Sequence, residues 1–147
     1  MFFDCQKLTT IDFGKIDTRN VKNMSSLFEE CSLLTSLELN QFSTSNVLDM
    51  SNMFQYCSKL TELDVTNFDT SKVQNMSRMF DSCLSLSSLD VSKFETKEVK
   101  DMTKMFEFLK ITTLDVSRFD TSNVLYMLDM FAEMDKLISL DVSKFDT

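Results

Sequence analysis

The chain has 147 residues, a net charge of −8 and 43% hydrophobic residues, with one glycine and no proline or histidine. This composition is globular rather than disordered, argues against nucleic-acid partners, whose phosphates call for clustered lysine and arginine, and removes the commonest general base. No apolar run approaches the ~18 residues of a membrane span.

Taken from the start, Met1-Phe2 is the same Met-Phe pair that returns as Met53-Phe54, so no signal peptide is read there. Ile11-Asp12-Phe13 then alternates apolar and polar residues, the mark of a short half-buried strand. Five later segments repeat it: Leu37-Glu38-Leu39, Leu63-Asp64-Val65, Leu89-Asp90-Val91, Leu114-Asp115-Val116 and Leu140-Asp141-Val142. Between them the period changes. Val73, Met76, Met79 and Phe80 fall at i, i+3, i+6 and i+7, one face of a short helix, and their counterparts predict helices over 18–29, 44–55, 70–81, 96–107 and 121–132. Asp17, Asp69, Glu95, Asp120 and Asp146, followed by threonine, read as helix-start chemistry.

Phe28, Phe54, Phe80 and Phe106 stand 26 residues apart, and Phe131 follows 25 after Phe106. A fixed period of this size is the signature of stacked repeats, because one strand and one short helix cannot enclose a core. The expected fold is α/β: a leucine-rich-repeat-like solenoid of six short parallel strands and five short helices. Helices are wider than strands, so it should curve with the strands on the concave side. Residues 1–147 read as one repeat domain of about five and a half copies. No polar capping repeat stands at either end, which points to a piece of a longer array or to ends that pair with another copy.

The string LDVTNFDTSKVQNMSRMFDSC and its copies resemble the 26-residue repeats of bacterial surface proteins, the BspA-like leucine-rich-repeat family related to a mycoplasma domain of unknown function. The resemblance covers nearly the whole chain, and the F-D-T-S-x-V-x-x-M-x-x-M-F core carries it. Departures are Ile16 for Phe, Leu27 for Met, and Leu109 and Met134 in the cysteine column. The resemblance implies secreted or surface-exposed proteins, often anchored elsewhere in the chain, with roles in adhesion and host interaction. It implies no catalytic residues.

Cys5, Cys31, Cys57 and Cys83 form one column. Its continuation as Leu109 and Met134 reads as a buried apolar site, with free thiols favoured over a disulfide or zinc. Asp12, Glu38, Asp64, Asp90, Asp115 and Asp141 form an outward acidic column, with Glu62 interrupting the hydroxyl column beside it. Like charges across a ladder repel. Lysines, hydroxyls and water relieve them on a solvated face, or the carboxylates serve a cationic partner or Ca²⁺, although the glycine-shaped loops of calcium repeats are missing. Leu125, Tyr126, Leu128 and Ile138 put apolar side chains where other copies are mostly polar, through local drift or as a contact surface for another domain or chain. The methionine and phenylalanine columns read as core.

No nucleophile has a partner motif, and carboxylates repeated down a column are unlike an active site. The expected function is therefore a non-catalytic, cofactor-free surface module that binds a protein on a host or neighbouring cell. The alternative is a spacer or self-associating stalk, which tolerates a uniform surface where a binding face has a non-repeating cluster.

Overall fold

A computed structural model describes residues 1–146. The repeats stack as successive coils, but they are built from turns. Among the described residues there is no helix, and the strands are two residues long: β1 (Ser36–Leu37) and β2 (Glu62–Leu63), parallel, with Ser36 opposite Glu62 and Leu37 opposite Leu63. Isolated bridges join Asn23, Asp49, Asn75, Asp101 and Tyr126 in sequence, and Thr113 to Ser139. The expected solenoid of six strands and five helices is therefore corrected.

The stretches expected to be helical run as overlapping turns tied to the next coil. The N–H groups of Met76, Arg78, Phe80 and Ser82 donate to the carbonyls of Asp101, Thr103, Met105 and Glu107 at 2.9, 2.8, 3.0 and 3.0 Å. The N–H groups of Met79, Asp81 and Cys83 stay within the coil and donate to the carbonyls of Met76, Arg78 and Phe80. Arg78 and Ser82, third residues of these turns, have φ of 54° and 59°, as in a type II turn. The same φ recurs at Ser26, Asn52, Lys104 and Asp129 and at Glu30, Tyr56, Phe108 and Glu133.

Packing shows why helices do not fit. Phe2, Phe28, Phe54, Phe80, Phe106 and Phe131 form one column of stacked rings with centroids 5.7, 5.7, 5.7, 5.9 and 5.8 Å apart. Packed helices need axes ~8–10 Å apart, so coils at this spacing have no room for them. The expected curvature rested on helix width and loses its basis with it. Around the rings the Met, Val, Leu and Cys columns form a continuous core. Phe13, in the column of Leu39 and Val65, packs edge-on against Phe2, Phe28 and Phe42, beside Ile16, which stands where later coils have phenylalanine.

In five of the six copies a local hydrogen bond interrupts the ladder. Asp64 accepts the Thr66 N–H at 2.9 Å, and Asp12, Asp90, Asp115 and Asp141 accept the N–H two residues on at the same distance. Each carboxylate curls its own backbone into an Asx turn and diverts an amide from the ladder.

Candidate functional site: the acidic strand-side cleft

Such turns recur at up to three places in a coil, and the coils that begin at Asp12 and Asp64 have all three. Besides the acidic column, Asp17, Asp69 and Asp120 accept the N–H of Arg19, Ser71 and Ser122. Asn23, Asp49, Asn75 and Asp101 likewise accept from Ser25, Ser51, Ser77 and Thr103. Three of the five residues expected to start helices, Asp17, Asp69 and Asp120, thus make the same local hydrogen bond without a helix following.

The turns also set the electrostatics. Hydrogen bonds from the Thr66 hydroxyl and N–H hold the Asp64 carboxyl below the usual carboxylate range, with Lys93 adding a smaller effect. Ser92 does the same for Asp90 and Ser117 for Asp115; the Ser143 N–H and hydroxyl do it for Asp141. Asp115 pushes Asp90 up and Asp141 pushes Asp115 up, but these repulsions are smaller than the hydrogen bonds that oppose them. Asp64, Asp90, Asp115 and Asp141 are therefore ionised at neutral pH and fixed in direction.

Two adjoining clefts lie on this side. One, about 260 Å³, is lined by Ser36, Glu38, Asn40, Glu62, Asp64 and Asn67 with the intervening leucines. The other, about 390 Å³, is more open and includes Thr66, Ser88 and Asp90. Glu62 and Asp64 wall both. The structure therefore brings together Glu38, Glu62, Asp64 and Asp90; Asp12, Asp115 and Asp141 line neither cleft. Among the described residues no three acidic or cysteine side chains converge as metal ligands would.

Leu125, Tyr126 and Leu128 are 69%, 62% and 68% exposed. Tyr126 and Leu128 stand where Asp101 and Thr103 make an Asx turn one coil earlier, so apolar surface replaces a turn-forming pair. Ile138 is also exposed but lies on another segment, its N–H bonded to the Thr112 carbonyl. These four residues sit on two segments of the coil.

Cys31, Cys57 and Cys83 are buried free thiols whose Sγ atoms donate to the carbonyls of Phe2, Phe28 and Phe54 at 3.0, 3.1 and 3.1 Å. Burial pushes Cys31 up to about 11, Cys57 up to about 12 and Cys83 well above the ordinary thiol value, which makes them inert. Cys5 is a free thiol at the margin of the core.

Two arrangements escape a reading of sequence. Buried Thr18, Thr44, Thr70, Thr96 and Thr121 each join two coils. The Thr70 hydroxyl donates to the Glu95 carbonyl at 2.9 Å and accepts the Glu95 N–H at 2.8 Å, and the other four repeat this. Their unvarying place in the repeat was the available signal. The second is a buried polar group: Gln55 Nε2 and the Ser82 hydroxyl both donate to Asp81, at 2.7 Å. Beside it Lys104 pairs with Glu107 at 3.0 Å and Asp129 at 3.7 Å. Burial pushes the Asp81 carboxyl up despite those hydrogen bonds. Nothing periodic announces this group, since Glu29, Gln55, Asp81 and Glu107 differ from coil to coil.

The family model described as Mycoplasma protein of unknown function, DUF285, matches residues 1–113 and 83–147. No curated protein and no solved structure matches the chain.

Proposed function

Since the chain belongs to the DUF285 family of Mycoplasma proteins of unknown function, we propose that it is a non-catalytic binding module, surface-exposed or secreted, that contacts a protein on a host or neighbouring cell through its strand side. The observation that carries this reading is the row of carboxylates. Asp64, Asp90 and Asp115 are held ionised and oriented by their own turns, and a pre-oriented charge loses little freedom when a cationic partner docks. Glu38 and Glu62 add charge at the cleft without such a turn. The apolar surface of Leu125, Tyr126 and Leu128 supports a second contact zone.

The test is binding of the labelled chain to host-type cells and matrix proteins, with Ca²⁺ or chelator, beside the variant Asp64→Asn/Asp90→Asn/Asp115→Asn. Asparagine keeps the oxygen that accepts the turn hydrogen bond and removes only the charge. Saturable binding that weakens in the variant supports the strand side; undiminished binding removes it. Sensitivity to chelator points to a cation in the contact.

A second reading, a spacer or self-associating stalk, gains from one observation: five of the six acidic-column residues already have a structural role, in their own Asx turns. Sedimentation across a concentration series separates the two, because self-association predicts growth in mass and a binding module does not require it.

A further inference from the structure

One member of the cysteine column differs from the rest. Cys31, Cys57 and Cys83 are fully buried, and each thiol donates to a carbonyl one coil earlier. Cys5 is half-buried, and among the described residues its thiol donates to no carbonyl. Cys5 and Cys31 also meet in space. The Cys31 Sγ lies 3.0 Å from the Phe2 carbonyl, which also accepts the Cys5 N–H at 3.3 Å. That N–H stands beside the Cys31 sulfur as well. Three residues before each cysteine, the rings of Phe2 and Phe28 stack 5.7 Å apart and 5° from parallel. A step of this size falls within the Cα separation of about 4.4–6.8 Å that a disulfide spans. Side chains in a ladder point the same way, which keeps the buried pairs apart. Here the lower sulfur already reaches the upper coil, and the upper one has no hydrogen bond to hold it.

We propose that Cys5 and Cys31 form a redox site, in which a small disulfide such as oxidised glutathione converts them to an intramolecular disulfide that ties the first coil to the second. The Cys5 sulfur attacks the reagent, forming a Cys5–glutathione disulfide and releasing one glutathione. The Cys31 sulfur then attacks the Cys5 sulfur and releases the other. In each step one proton passes from a protein thiol through solvent to the departing thiolate. Two protein thiols are oxidised, and one reagent disulfide is reduced to two thiols. Burial shields Cys31 from reagents in solution, but not from a sulfur one coil away. Cys57 and Cys83 have only buried neighbours in the column, so the reaction stops at the first pair. The inference is independent of what the strand side binds. It takes from the proposed function only the exported setting, where such a disulfide persists.

The folded chain is incubated with oxidised glutathione, remaining thiols are alkylated in denaturant, and the peptides are mapped by mass spectrometry. The expected product has a Cys5–Cys31 link, alkylated Cys57 and Cys83, and no retained glutathione. Its melting temperature should rise by about 5 °C and return on reduction. Cys5→Ser should show neither link nor rise, and Cys31→Ala should keep glutathione on Cys5. Glutathione left on Cys5 in the wild-type chain, two chains joined through Cys5, or a melting temperature that falls on oxidation overturns the proposal. Cell binding by a chain that forms no link leaves the protein-binding reading in place. A linked chain that binds no cell counts against that reading alone.

Discussion

Thr70→Val tests the claim that threonine hydroxyls join the coils. Thr70 is 2% exposed and makes two hydrogen bonds with one residue, to the Glu95 carbonyl at 2.9 Å and from the Glu95 N–H at 2.8 Å. Valine has the same shape, so no cavity forms, but both Glu95 backbone groups lose their partner. An unsatisfied buried group costs about 1–3 kcal/mol. Glu95 is an exposed residue, which lets water offset part of that cost, and the added methyl gains ~0.8 kcal/mol. The net loss should be about 2 kcal/mol. Thr70→Ser keeps the hydroxyl and loses one methyl, about 0.8 kcal/mol. The valine variant should therefore be the less stable, although serine is the larger change in shape. Urea denaturation followed by circular dichroism, with equal m-values required, measures the difference. A valine variant as stable as the serine variant would refute the argument. Thr44→Val and Thr96→Val should behave alike, since their hydroxyls make the same pair of bonds.

Phe80→Ala should cost ~3–5 kcal/mol, since the ring is fully buried between Phe54 and Phe106; calorimetry checks it, and a loss below that of Thr70→Val would contradict a continuous ring stack. In the native chain one thiol, Cys5, should react readily with a thiol reagent, and the three buried ones only after unfolding. Acid should destabilise the fold. Asp64, Asp69, Asp90, Asp115, Asp120 and Asp141 have folded pKa values below their unfolded ones, so their stabilisation is complete above pH ~4 and disappears as pH falls through the lower folded values. For Asp17, held down to about 2 by Arg19, that window ends near pH 2. Asp81 has the opposite sign: its folded pKa is raised, so ionisation weakens the fold as pH rises through that value. Asp81→Asn should accordingly gain relative to wild type at neutral pH and lose that gain in acid, as read from melting temperature against pH.

The repeat by itself determined which residues share an environment. A residue at one place in each copy must meet the same neighbours in each coil. The phenylalanine, methionine and cysteine columns were therefore legible as core, and free thiols were legible from Leu109 and Met134 in the cysteine column. The backbone conformation was not legible. Val73, Met76, Met79 and Phe80 fit a helical face, and Asp69-Thr70-Ser71 fits a cap, but an Asx turn uses the same side-chain oxygen on the same nearby amides. The usual sign of a type II turn, glycine or asparagine in third place, is missing where Arg78, Lys104 or Tyr56 takes positive φ. Only the stack decides between them. Rings about 5.7 Å apart leave no room for helices, and amides that a helix would bond internally pair with the next coil instead. The acidic column divides in the same way. Its outward face was plain from alternation, but the compensation for its like charges was not, because it comes from each aspartate's own backbone two residues on.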